Sequence, residues 1–221
     1  GKAGTLLRGD SVQAVQSRMH RLTCQHLLAT GRETLSMKSQ WVVMKFGGTS
    51  VAGRPQWETI VSLARARQAE GCRVLLVCSA VAGVTNRLTE LAERPDAATA
   101  VEDLLELHRA LGLELGVKEE GWLPAASMLL QERIDGLVSD PGPAARARLL
   151  ATGEWLSTQL GVRFLRQQGL DAAWVDARDA LEVLAEDDLS PARQWLSATC
   201  AAGPDAALES QWSGLSPVLI T

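Results

Sequence analysis

The chain has 221 residues, 46% of them hydrophobic, which is enough to bury one sizeable core and excludes a disordered chain. Its 22 Lys and Arg against 26 Asp and Glu leave a net charge of −4, so there is no electrostatic case for nucleic acid or an anionic membrane as partner. No apolar run approaches a membrane span, and Cys24, Cys72, Cys78 and Cys200 form no CxxC pair and have no histidines at zinc spacing, so reduced cytoplasmic thiols are the simplest expectation.

Residues 1–36 differ from the rest of the chain. Lys2, Arg8, Arg18, Arg21 and Arg32 stand among few acids, and no clean period is sustained. Met37 sits where an ordinary start falls just ahead of the first strand. The segment reads as an upstream extension outside the core, and a targeting peptide is the competing reading. Residues 37–221 read as the folded unit.

Trp41 to Phe46 reads as a buried strand, with Val42, Val43 and Met44 as the apolar run that a central parallel strand needs. Gly47 and Gly48 allow a tight turn that brings backbone N–H groups close to a ligand. Thr49 and Ser50 add hydroxyls, and Lys45 stands at the junction. Strand, glycine turn, hydroxyls and lysine describe a phosphate cradle. The spacing is neither that of a P-loop nor that of a dinucleotide-binding turn, so a merely tight turn stays open on the residues alone.

Pro55 to Glu70 reads as a helix with Trp57, Ile60, Val61, Leu63 and Ala64 on its apolar face and Gly71 at its end. Arg73 to Ser79 is a second strand, apolar throughout and expected to be buried on both faces. Strand, helix and strand at this length make a right-handed parallel unit. The small residues from Ser79 to Asn86 then turn into a helix. In an open parallel sheet ligands sit beyond the carboxyl ends of strands, which places Lys45, Gly47, Ser79 and Thr85 at one edge. Taken singly, Ser79 and Thr85 are equally explained as a strand end and a helix cap.

From Leu88 to Val138 the pattern is helical, broken at Arg94-Pro95-Asp96, Gly121 and Asp140-Pro141-Gly142-Pro143. Its acids read as a solvated face without metal spacing. His20, His26 and His108 give a histidine base little support. Gly153-Glu154 heads a further helix running to Gln168, where an acid complements the helix dipole. Gly169 ends it. Leu170 to Asp176 is a third strand, Arg178 to Leu184 a connector, Leu189 to Cys200 a helix broken by Gly203-Pro204, and Ser216 to Thr221 a fourth buried strand.

Three stretches carry a family resemblance. Lys45-Phe46-Gly47-Gly48-Thr49-Ser50-Val51 resembles the N-terminal signature of aspartokinases, in the amino-acid kinase superfamily. Ser79-Ala80-Val81-Ala82-Gly83-Val84-Thr85-Asn86 is similar to a second motif of that family, and Gly153-Glu154 with Ser157 to a third. The resemblance runs from about Trp41 to the end of the chain. It implies an α/β fold of three layers, α/β/α, with a mainly parallel central sheet. It implies ATP-dependent phosphorylation of the side-chain carboxylate of L-aspartate, the first step toward lysine, threonine and methionine, with magnesium accompanying ATP and a homo-oligomer as the family's assembly. By resemblance Lys45 is catalytic; Lys45, Gly47, Gly48, Thr49, Ser50 and Ser79 bind nucleotide; and Thr85 and Glu154 bind aspartate. A glycine turn, a hairpin and an Arg-Gly-Gly-Ser-Asp segment follow the last strand in that family, so the expectation is the N-terminal part of a kinase domain, compatible with a bifunctional fusion. Two alternatives remain: a kinase for another amino acid, such as glutamate or acetylglutamate, and a catalytically incomplete binding or assembly module. Nucleotide binding separates the last from the others.

Overall fold

The computed structural model describes residues 40–95, 98–181, 190–196, 200–201, 203 and 205–221. The expected upstream extension lies outside them, as do residues 182–184 of the expected connector and residues 189 and 197–199 of the helix expected from Leu189 to Cys200. Four strands form one wholly parallel sheet: β1 (Trp41–Phe46), β2 (Arg73–Cys78), β3 (Ala172–Trp174) and β4 (Val218–Ile220), in the order β1-β2-β4-β3. Between them run α1 (Arg54–Ala69), α2 (Val84–Glu93), α3 (Ala98–Leu115), α4 (Leu123–Ser139), α5 (Pro143–Leu150), α6 (Thr152–Gln167), α7 (Ala177–Ala180), α8 (Pro191–Leu196) and α9 (Ala206–Ser213). No described helix is long and apolar enough to cross a membrane.

The register assigns each side chain to a face. Met44 pairs with Leu76, Phe46 with Cys78 and Leu76 with Ile220, so these residues line one face of the sheet. That face carries the core. Val74, Leu76, Cys78, Val218 and Ile220 are buried there beneath Trp57, Ile60 and Ala64 of α1 and Leu156, Leu160 and Phe164 of α6. Burial pushes the Cys78 thiol up to about 12, so it stays a protonated apolar filler. On the opposite face Arg73 lies 4.8 Å over the Trp41 ring, and its Nη2 donates to the carbonyls of Trp212, Leu215 and Ser216. Trp212 meets Trp41 edge-on at 6.4 Å, which docks α9 at the start of the strands.

Several expectations are corrected. β1 is not a buried central strand. It ends the sheet order among the described residues, and only alternate residues reach the core, leaving Val43 58% exposed. β2 is fully buried on one face and half-buried on the other, because helices cover the first face and α9 reaches only the base of the second. The expected connector after Arg178 begins with the short helix α7, capped by the Asp176 carboxylate on the Arg178 N–H. The helix α9 was not expected at all. The helix α5 was not expected either, since its residues read only as a break and the lead-in to Gly153, and α2 starts four residues before the expected Leu88. The four strands, α1 and the end of α6 match within two or three residues, with Pro55 in the first turn of α1 and Gly71 and Gly169 at positive φ after α1 and α6.

In the helical layer α3 buries Leu104, His108, Leu111 and Leu115. His108 Nδ1 lies 2.7 Å from the Leu104 carbonyl oxygen, and its Nε2 is buried without a hydrogen-bond partner among the described residues. Burial lowers the His108 pKa from 6.5, against a smaller opposing effect of the Leu104 carbonyl. The folded state therefore holds a neutral imidazole, whereas the unfolded chain takes up a proton near pH 6.5. The stability that neutral His108 contributes is complete above that pH and is lost as pH falls toward the lower folded value. Urea midpoints measured from pH 7.5 to 5 are expected to fall, and His108→Asn is expected to flatten that fall. An unchanged slope in the variant contradicts it.

Candidate active site

The three motif stretches meet at the carboxyl ends of β1 and β2. Phe46 ends β1, Gly47 is extended, and Gly48–Val51 close a 3₁₀ turn in which the Ser50 N–H donates to the Gly47 carbonyl at 2.8 Å. The loop after β2 lies against this turn. The Ser79 N–H donates to the Phe46 carbonyl at 3.0 Å, and the Ala82 N–H to the Gly48 carbonyl at 3.2 Å. A Cβ on Gly48 would stand 2.7 Å from the Ala80 carbonyl oxygen and 3.1 Å from the Ala82 nitrogen. These are rigid backbone atoms, so the close approach of the two loops requires glycine there. Gly47 is under no such constraint, since a Cβ on it meets nothing within 4 Å.

The head of α6 joins the same place from the core side. A Cβ on Gly153 would fall 2.8 Å from Ala80 Cβ and 3.1 Å from Leu88 and Val84 side-chain atoms. This contact lets Glu154, in the first turn of α6, accept a hydrogen bond from the Ala80 N–H through Oε1 at 3.3 Å. Ser157, fully buried one turn on, donates to the Ser79 carbonyl at 2.8 Å and to the Glu154 carbonyl at 3.1 Å. Thr158 donates to the Glu154 carbonyl at 2.7 Å and accepts from Trp174 Nε1 at 3.0 Å.

The structure thus brings Gly48, Ser79 and Glu154 into one hydrogen-bonded cluster. Lys45 projects from the sheet face opposite Met44 and Phe46, is exposed, and has no ion-pair or hydrogen-bond partner among the described residues. Thr49 is exposed and Ser50 half-buried beside the turn. Thr85 is exposed in the first turn of α2, and its hydroxyl has no partner among the described residues. Sequence reasoning assigned no role to the Ala80 N–H or to the packing of Gly153. Backbone groups leave no residue-type signal, and only the glycine beside Glu154 hinted at close approach.

The model of the amino acid kinase family matches residues 40–203. The chain belongs to that family. Over 158 residues it is 30% identical to the bifunctional aspartokinase/homoserine dehydrogenase 1, chloroplastic, of Arabidopsis thaliana, covering 65% of this chain and 17% of that protein. Over 158 residues it is 32% identical to lysine-sensitive aspartokinase 3 of Escherichia coli, covering 65% of this chain and 32% of that one. The chain therefore spans less than a third of the length of these relatives. Its fold is similar to that of E. coli aspartokinase III in complex with aspartate and ADP, with a TM-score of 0.62 and 24% identity over 82% of this chain and 40% of that one. In this member of the amino acid kinase family the cluster at the strand ends is the candidate active site.

Proposed function

We propose that this chain carries an aspartate kinase site, transferring the γ-phosphoryl group of ATP to the side-chain carboxylate of L-aspartate. The observation that carries the reading is the carboxylate of Glu154: one oxygen is held by the Ala80 N–H, the other has no partner among the described residues, and the group stands where the glycine turn meets the loop after β2. Relatives named as aspartokinases and a fold neighbour crystallised with aspartate and ADP support it.

In this reading the N–H groups of Gly47 and Gly48, with the hydroxyls of Thr49, Ser50 and Ser79, receive the phosphates. Lys45 offsets charge on the transferring group. Glu154 takes the α-ammonium of aspartate and Thr85 hydrogen-bonds the substrate, so that the side-chain carboxylate faces the γ-phosphorus. That carboxylate is ionised at neutral pH and needs no general base. Its oxygen forms the new P–O bond, the bond to the β,γ-bridging oxygen breaks, and the electron pair leaves with ADP. Among the described residues no three His, Cys, Asp or Glu side chains stand close enough to hold a metal ion. Magnesium would accompany the nucleotide, held by its phosphates and water, and would supply neutralisation of phosphate charge. Cys72, Cys78 and Cys200 are free thiols, which supports a reducing, cytoplasmic setting.

The test is selectivity in binding. An N-acetylated amino acid has no ammonium for Glu154, and glutamate is one methylene too long. L-Aspartate is expected to bind more tightly than L-glutamate and N-acetyl-L-glutamate in calorimetric titrations. Glu154→Gln is expected to weaken aspartate about tenfold or more, the loss of one charge-assisted contact. Equal affinity for all three ligands, or for aspartate in both proteins, overturns the reading.

A further inference from the structure

The carbonyl of Ser79 and the N–H of Ala80 belong to one planar peptide group and point to opposite sides of it. Both ends of this group are held by a single helix. The carbonyl accepts from Ser157 Oγ at 2.8 Å, and the N–H donates to Glu154 Oε1 at 3.3 Å. Residues three apart on a helix share a face, so one turn of α6 grips one peptide from both sides. The Ser79 N–H, bound to the Phe46 carbonyl at 3.0 Å, fixes the strand side of the same unit.

We propose that Ser157 is a positioning residue that locks the Ser79–Ala80 peptide in the one orientation that keeps Glu154 fixed by one oxygen and open to a ligand by the other. The inference rests on the reading of Glu154 as the ammonium ligand. A peptide rotated by half a turn aims its carbonyl oxygen at the Glu154 carboxylate. Two oxygen acceptors then face each other, and the carboxylate swings away. Ser157 prevents this by holding the carbonyl on the α6 side. Its hydroxyl is fully buried, so no water takes its place without repacking. Thr158 is the internal comparison: it too donates to the Glu154 carbonyl, yet none of its hydrogen bonds reaches Ser79 or Ala80.

The experiment is residue-resolved amide hydrogen exchange on the full chain, with steady-state kinetics beside it. In Ser157→Ala the Ala80 amide is expected to exchange at least tenfold faster, while the Val77 and Cys78 amides of β2 change less than threefold. Thr158→Val removes a hydroxyl of the same helix turn and is expected to leave the Ala80 amide unchanged. Adding Ser157→Ala to Glu154→Ala is expected to change Ala80 exchange little further, because both act on one peptide. If Ser157→Ala does not fold, Ser157→Cys, with a weak donor of similar size, is expected to show the same selective effect at reduced size. Unchanged Ala80 exchange in the folded serine variant, or an equal effect from Thr158→Val, overturns the proposal. In kinetics Ser157→Ala is expected to raise the aspartate KM at least fivefold with kcat and ADP affinity within twofold; a parent enzyme that phosphorylates aspartate beside a variant with unchanged KM overturns the proposal and leaves the function standing. A selective exchange effect in a parent without affinity for aspartate keeps the lock and removes the function.

Discussion

Gly161→Ala is expected to destabilise the fold by about 3 kcal/mol, the upper end of the usual cost of overpacking. A Cβ at this position would lie 2.2 and 2.6 Å from two ring carbons of Trp57 and 2.8 Å from Ile220 Cδ1. Distances under 3 Å are not tolerated between carbon atoms, so something must move. The ring has little freedom: it is fully buried, and its Nε1 donates to the Val51 carbonyl at 3.1 Å. Ile220 is equally constrained, as a buried residue of a strand paired on both sides. The methyl group therefore forces α6 away from the sheet. Because α6 also carries Gly153, Glu154 and Ser157, the same displacement reaches the site. Denaturant unfolding of the variant checks the size of the effect. A loss below about 0.5 kcal/mol, the range of an innocuous surface change, shows that the α6–α1 contact is softer than the geometry requires.

Lys45→Ala is expected to show the opposite profile. Lys45 is exposed and unpartnered among the described residues, so removing it costs the fold little. In phosphoryl transfer the ammonium faces charge that develops on the transferring group, and deleting one such donor lowers kcat on the order of 10²- to 10³-fold. The thermal midpoint is expected to stay within about 2 °C, the shift that a few tenths of a kcal/mol produces in a chain of this size. ADP affinity is expected to change less than tenfold, since ADP lacks the γ-phosphate that Lys45 serves. A variant with unaltered kcat removes Lys45 from the catalytic role.

How much of this was legible in the sequence depends on where side-chain type carries the information. β2 and β4 announced themselves by unbroken apolar runs, and α1 by Pro55, its apolar face and Gly71. β1 has the same apolar look in Val42-Val43-Met44, but a run cannot reveal that, among the described residues, the strand has one neighbour and an exposed Val43 and Lys45 on one face. Helix α9 has no buried residue, so no apolar period marks it; Asp205, which caps it by accepting from the Leu208 N–H, was its one readable signal. In the candidate site the stretches that the motifs singled out are neighbours in space, and that proximity comes from the parallel topology. The two-sided grip on the Ser79–Ala80 peptide was not legible, because every residue type except proline offers the same N–H and carbonyl.

Aspartate kinase activity is read from ATP-dependent formation of an acyl phosphate from L-aspartate, trapped with hydroxylamine, for this chain beside Lys45→Ala. The expected result is the β-hydroxamate of aspartate from the parent, little from L-glutamate or N-acetyl-L-glutamate, and a loss on the order of 10²-fold or more in the variant. No hydroxamate from aspartate, or the same yield from the parent and from Lys45→Ala, contradicts it.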